Sequence, residues 1–356
     1  MDAHSEMLLA QYREMLPNLK VLEDIALKRI REALDQQGIT VTAIDHRIKT
    51  EKSLSGKLEL KGGKYKTIGD ITDLLGLRVI TFYADDVDKV AAIVAQAFDI
   101  DWTTSVDKRK LHQLDSFGYN SLHYICSLPA GAADPAICSI RFEVQMRTAL
   151  QHVWSTINHD TGYKSDVQIP REYLRQFGRL AGMLELIDDE FSRLRNSLAD
   201  YRRRMQSLVA SGQLDEVPLS SDTWESYLRT SPFERLNKRI AAVNQAEIFT
   251  VSLVPFLKVM RKLEMETLGD VQRFVDANSD DAYLLAVSEL AITDIDIITE
   301  SVGIMNLCYV HALKNGGGKA SVLMILNTLN PSDSSTNEFM AQSIVHRAAS
   351  LPFMQK

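Results

Sequence analysis

Cysteine is scarce in this chain of 356 residues: the three present, Cys126, Cys138 and Cys308, have neither metal-ligand nor redox spacing. They fit a reducing cytoplasm. No run of 18 apolar residues occurs, so no membrane span is expected. The N-terminus, MDAHSEMLLAQYREML, lacks the basic start and apolar centre of a signal peptide and reads as an amphipathic helix. An excess of positive charge is also missing. The net charge of -7 argues against broad, non-specific binding to nucleic acid, though it leaves room for a local basic pocket. No internal repeat is convincing. What is there is a soluble, globular composition, 45% hydrophobic and 24% charged, in a chain long enough for two domains.

One stretch organises the rest. In 137–164, Ile140, Phe142, Val144 and Met146 alternate with Arg141, Glu143, Gln145 and Arg147. Alternation of this kind makes a strand with one apolar and one polar face. Thr148 can cap a following helix, in which Leu150, Val153, Trp154 and Ile157 recur at helical spacing. Glu143 is therefore expected to face a cleft; a solvent-exposed edge face is the simpler alternative.

Upstream, a helix is expected over 7–37, ended by Gly38, then a strand at about 39–44. Next comes RIKTEKSLSGKLELKGGKYK, with Arg47, Lys49, Lys52, Lys57, Lys61, Lys64 and Lys66 against Glu51 and Glu59. Such a concentration of cations in an acidic protein marks an anion site, although a lysine run is usually a solvated face. Ser53 is expected to open a helix whose N-terminus favours phosphate. Asp70 and Asp73 then precede an apolar run, 74–82, that contains Gly76 and Arg78. A carboxylate at a strand entrance and a cation inside the strand are costly if merely buried. They make sense facing a phosphate and a divalent metal. A helix over 85–98 and a strand over 100–106 follow. After Lys108, Arg109 and Lys110, a Gly-bearing turn leads through Tyr119 and Asn120 into a strand with Ser121, His123 and Ile125 on one face. The order of elements predicts a mixed sheet packed on helices, an α+β domain.

Beyond Pro170, Leu180, Met183, Leu184, Ile187, Phe191, Leu194, Leu198 and Tyr201 step by three and four, so a long amphipathic helix should run to about Leu208. Residues 223–356 read as mostly helical, with breaks at Pro255, Gly269, Asn278, Gly303, Gly316–Gly318 and Pro331. No catalytic grouping stands out there.

Taken together, the motifs of 47–164 resemble the synthetase domain of the RelA/SpoT alarmone synthetases. Arg47-x-Lys49, Ser53, Lys57 and Lys61 are similar to that family's ATP-binding stretch. Asp73-x-x-Gly76-x-Arg78 is similar to its metal-binding strand entrance, and Gly118-Tyr119-x-Ser121-Leu122-His123 to its guanine-binding turn. Glu143-x-Gln145-x-Arg147-Thr148 resembles its catalytic strand, and His159-x-x-x-Tyr163-Lys164 its closing helix.

The resemblance implies a nucleotidyltransferase-like fold and Mg²⁺-dependent transfer of pyrophosphate from ATP to the 3′-hydroxyl of GDP or GTP, making (p)ppGpp. It implies catalytic roles for Asp73, Glu143 and Gln145, with Asp73 and Glu143 holding the metal. ATP falls to Arg47, Lys49, Ser53, Lys57, Lys61 and Arg78, and the acceptor to Lys108, Tyr119, Asn120, His123 and Arg147. Departures lie mostly on the acceptor side: Asp115 stands where a second lysine is usual, and Phe117 where Asn usually precedes Gly-Tyr. Two further readings stay open on that account, a toxin-like transfer to the 3′ end of tRNA and a non-catalytic nucleotide-binding module. With only 46 residues before Arg47, the family's hydrolase domain is not expected. The expected organisation is a synthetase domain over 1–170 (helix 7–37, core 39–165), a helix and linker over 171–222 and a helical accessory domain over 223–356. A cytoplasmic enzyme follows, without membrane contact, with a homo-oligomer built through the C-terminal helices.

Overall fold

The computed structural model describes residues 3–110, 121–162, 171–290 and 295–355. The chain divides into two compact units, Met1–Asn196 and Ser197–Lys356.

The first unit opens with α1 (Ala3–Gln36), which buries Leu8, Tyr12, Leu19, Leu22 and Ile30 on one stripe. Gly38 follows with φ +64°, the left-handed geometry that ends a helix at little cost to glycine. Then come β1 (Val41–Ile48), α2 (Glu51–Lys61), β2 (Leu75–Thr81) and α3 (Ala84–Ala97). Short strands β3 (Asp99–Ile100) and β4 (Val106–Asp107) precede β5 (Leu122–Ser127), the one-turn α4 (Pro135–Cys138) and β6 (Phe142–Thr148). Helices α5 (Ala149–Gly162) and α6 (Arg171–Ala210) complete the unit, α6 running on past its boundary.

Six strands form one mixed sheet in the order β1-β2-β6-β5-β3, with β4 also on β5. Only β2 and β6 run parallel; β1 on β2 and β5 on β6 are antiparallel. One face carries Leu75, Leu77, Val79, Phe142, Val144 and Met146 into a core shared with α1 and α3. The predicted α+β sheet on helices is therefore present.

Three expectations need correction. The strand expected over 100–106 is two short pieces, because Asp101 folds a turn between them: its carboxylate accepts from the Thr103 amide (3.1 Å), the Thr103 hydroxyl (2.5 Å) and the Thr104 hydroxyl (2.7 Å). Ser53 does not open α2. The Thr50 hydroxyl accepts from the Ser53 amide at 3.3 Å, leaving Ser53 exposed inside the first turn. Of the stripe expected on α5 only Trp154 is buried, while Val153 and Ile157 are each 48% exposed.

The second unit, where the chain lies beyond Asn196, holds α7 (Ser221–Leu228), α8 (Glu234–Ala241), α9 (Phe256–Lys262), α10 (Leu268–Leu290), α11 (Val302–Lys314), α12 (Gly318–Leu329) and α13 (Ser334–Ala348). A short parallel pair, β7 (Glu247–Phe249) and β8 (Ile297–Thr299), had no counterpart in the sequence reading. Trp224 is fully buried at the centre, with Tyr227 and Phe233 around it. Two expected breaks lie inside helices. Asn278 is buried in α10, its amide donating to the Phe274 carbonyl at 2.8 Å. Gly303 sits in α11 because Asn237 comes close: a Cβ there would lie 2.4 Å from Asn237 Oδ1.

Candidate active site

The polar face of the first unit's sheet is assembled by register. Arg47, Gly76 and Glu143 are opposite one another across β1, β2 and β6, and Asp45, Arg78, Gln145 and His123 form the next row, extending to β5. Four strands from distant parts of the chain thus present their polar residues to one side. The last residue of β6, Thr148, accepts from the Gln151 amide (3.1 Å) while its own amide donates to Gln151 Oε1 (3.0 Å), so the strand passes straight into α5.

Asp73 lies in the turn before β2. Lys57 Nζ donates to its Oδ1 at 2.7 Å, and Lys49 Nζ lies 2.9 Å from its Oδ2. Burial alone would raise its pKa, but the bonds from Lys57 and Lys49 outweigh it and hold the carboxyl below its ordinary range. Lys49 reaches this point because its backbone amide bonds the Leu74 carbonyl at 2.8 Å. Its own carbonyl accepts from the Tyr12 hydroxyl of α1.

Glu143 is held from both sides. His123 Nδ1 lies 2.6 Å from Oε1, and Gln145 Nε2 donates to Oε2 at 2.8 Å. Burial pushes the Glu143 pKa up; His123 and Gln145 bring it below the ordinary value, against the neighbouring charge of Asp73. The two carboxylates therefore sense one another. Behind His123, Nε2 meets Ser121 Oγ at 2.6 Å. Ser, His and Glu in this order have the connectivity of an acyl-transfer triad. Ser121 is 0% exposed, however, so it has no access to a substrate. The chain of bonds instead orients Glu143.

A second feature adds a residue the sequence did not single out. Arg78 Nε and His152 Nδ1 are buried with no hydrogen-bond partner among the described residues. Burial lowers the pKa of His152, and Arg147 and Arg78 lower it further, against Asp45. These groups thus share one electrostatic neighbourhood. Buried polar atoms are nearly always satisfied; here the missing acceptor has the chemistry of an anion. His152 carried no signal in the sequence, being one histidine on an amphipathic helix.

Other predicted residues fall as follows. Arg47 is exposed on β1, and Lys61 is exposed at the end of α2. Lys108 donates its amide to the Ser121 carbonyl at 3.0 Å, beside the site. Arg147 is 2% exposed, deeper than an open acceptor contact requires. Tyr119, Asn120, Tyr163, Lys164 and the side chain of His159 lie outside the described residues. Over Gly76, between Arg47 and Glu143, an added Cβ would meet nothing within 4 Å among the described residues, which leave that space open. A cavity of about 630 Å³ in the same unit lies elsewhere, at Gly38, Phe82 and Tyr83, where Asp86, Lys89 and Arg195 already pair with one another.

One face of the sheet thus gathers Asp73, held by Lys49 and Lys57, Glu143, held by His123 and Gln145, and the guanidinium of Arg78. Residues 46–168 match the family model described as "Region found in RelA / SpoT proteins". The first unit therefore carries a RelA/SpoT region, as the motifs implied. Among curated proteins, the chain is 26% identical over 202 residues to the GTP pyrophosphokinase YjbM of Bacillus subtilis, covering 56% of this chain and 92% of that protein. It is 24% identical over 147 residues to the GTP pyrophosphokinase YwaC of the same organism, covering 40% and 69%. Among solved structures, small alarmone synthetase 1 from Bacillus subtilis aligns at 23% identity with a TM-score of 0.44, over 53% of this chain and 97% of that one.

Proposed function

We propose that the chain is a GTP/GDP pyrophosphokinase, transferring pyrophosphate from ATP to the 3′-hydroxyl of a guanosine nucleotide to make (p)ppGpp. The observation that carries this is the pair Asp73 and Glu143, within electrostatic reach of one another, with Lys49 and Lys57 bonded to Asp73 and open space over Gly76 next to Glu143. The relatives' activity, GTP pyrophosphokinase, points the same way.

Transfer of so highly charged a group depends on positioning and charge neutralisation. Lys49 and Lys57, now bonded to Asp73, turn to the triphosphate when ATP arrives. Arg78 supplies a buried guanidinium donor that awaits an anion, with His152 beside it. Glu143 is ionised at neutral pH, and its lowered pKa suits an acceptor of hydrogen bonds better than a strong base. It receives the 3′-hydroxyl hydrogen bond, with His123 and Gln145 fixing its two oxygens.

The donor set also fits magnesium. Two hard carboxylates lie within electrostatic reach of each other. Magnesium takes one or two carboxylates and completes its shell with phosphate oxygens and water, so no third protein ligand is required, and among the described residues none is gathered. Asp73 and Glu143 would hold the ion, which when bound neutralises the developing charge on the phosphates.

No helix among the described residues is long and apolar enough to cross a membrane, and a cytoplasmic location fits the free cysteines. On α6, Leu180, Ile187, Phe191 and Leu194 are 40–57% exposed at steps of seven, four and three. That seam supports a homo-oligomer in which a second copy covers it.

The test is labelled ATP with Mg²⁺, offered GDP, GTP or deacylated tRNA. Label is expected in a guanine nucleotide. Label in tRNA, or in neither, would overturn the proposal.

A further inference from the structure

The second unit contains a cavity for which the transfer chemistry has no use. It holds about 400 Å³ among α10, β8, α11 and α13, within the range of small-molecule sites. Most of its wall is apolar, including Leu290, Ile298, Val302, Met305 and Ile344. At its margin Phe339 is 77% exposed and Ile297 59% exposed. Large apolar groups held in water beside a cavity are a feature of binding surfaces.

Two donors in the wall lack a proper acceptor. Arg347 Nε is buried with no hydrogen-bond partner among the described residues, and Arg347 Nη2 lies 3.4 Å from Glu289 Oε1. Tyr309 is 4% exposed, and the bond its hydroxyl makes is to the Met305 sulfur at 3.7 Å. A thioether is a weak acceptor. Burial pushes the Tyr309 phenol well above its ordinary pKa, with Cys308 and Glu289 adding to the shift and Arg347 opposing it, so the hydroxyl remains a donor within electrostatic reach of the guanidinium. Among the described residues, Glu289 and Arg347 are the charged ones lining the cavity. One guanidinium cannot balance a dianion such as a phosphate. A single acid group can take up the two donors, displacing the long contact to Glu289.

We propose that this cavity binds an amphipathic monocarboxylate, with its carboxylate between Arg347 and Tyr309 and an apolar body of roughly ten carbons filling the rest. The test is calorimetric titration of the full chain with decanoate, with decanol as the neutral control. One decanoate is expected per chain, with decanol at least tenfold weaker. Tyr309→Phe, which removes only a hydroxyl, is expected to weaken decanoate about tenfold and leave decanol unchanged. Ser343→Phe, which fills the cavity, is expected to abolish both. Ile187→Glu, on the apolar stripe of α6, is expected to change neither. Absence of decanoate binding, equal affinity for acid and alcohol, or decanoate binding that survives Ser343→Phe would each overturn the proposal. If Ser343→Phe fails to fold by circular dichroism, the contrast between decanoate and decanol in Tyr309→Phe decides.

Discussion

At the scale of single residues, the site separates groups that act from groups that hold. Asp73→Asn and Glu143→Gln each remove a charge proposed to act on the transferred phosphates, and losses of this kind typically cost about 10²–10³ in rate. Transfer assays are expected to show at least that loss with an unchanged circular dichroism spectrum. Near-normal turnover of Asp73→Asn would remove it from the metal site. Gly76 gives a sharper test. Its φ is ordinary and an added Cβ meets nothing, and a β-branched side chain suits a strand. Gly76→Val is therefore expected to melt within a few degrees of the parent, while obstruction of the substrate costs about 10²-fold or more in transfer. A variant that melts normally and transfers normally would show that nothing occupies the space over Gly76. The sequence made Asp73, Glu143 and Gln145 legible through alternation and strand entrance. It left His152 unremarked and gave Ser121 no role of its own, because their significance lies in neighbours brought up by other elements: Arg78 and Arg147 for one, His123 and Glu143 for the other.

Among elements, α6 is the one whose role changes most on moving from sequence to structure. Its periodicity announced an amphipathic helix. What could not be read was the polar clasp beside the stripe, because each bond pairs residues more than 35 positions apart. Thr148 Oγ1 donates to Asp188 Oδ2 at 2.6 Å, the Ala84 amide donates to Ser192 Oγ at 3.2 Å, and Arg195 reaches Asp85 (2.8 Å) and Asp86 (2.5 Å) while stacking on Tyr83. The same blindness to tertiary partners explains Gly303, which the nearby Asn237 accommodates inside a helix, and Asn278, whose Oδ1 accepts from Lys314 Nζ at 3.3 Å. The clasp has a measurable pH signature. Burial, with Asp189 adding to it and the Thr148 bond opposing, pushes Asp188 from 3.8 up to about 6. The folded chain therefore holds a proton that the unfolded chain has already released between those values, and this stability is lost as pH rises through about 6. Asp188→Asn keeps an acceptor for Thr148 but cannot ionise. Thermal melts of the two proteins from pH 5 to 7.5 are expected to shift in favour of Asp188→Asn as pH rises. A constant difference would mean Asp188 does not titrate there.

For the whole molecule, the division after Asn196 leaves every residue assigned to the site, and the whole clasp, in the first unit. The domain edge expected at 170 falls before α6, whose Asp188 holds Thr148 at the end of β6. A chain of residues 1–196 is therefore expected to keep Mg²⁺-dependent transfer, and one of residues 1–170 to lose it. Specific activity and light-scattering mass, compared with the full chain, check both. A folded 1–196 chain without transfer would move part of the site into the second unit. The same comparison reports on the α6 seam, since an oligomer built through residues 180–194 survives the cut at 196.

The parallel pairing of β2 with β6 also bears on how the protein comes into being. Asp73 and Glu143 meet only through that pairing, although seventy positions separate them in the chain. No hairpin brings them together early, and closing so long a loop costs entropy before any contact repays it. Local parts such as α1 and α2 can form first. On refolding from denaturant, catalytic competence is therefore expected to return with the slowest major phase, after most helical signal has recovered, and a chain still emerging from the ribosome is inert until β6 has been made.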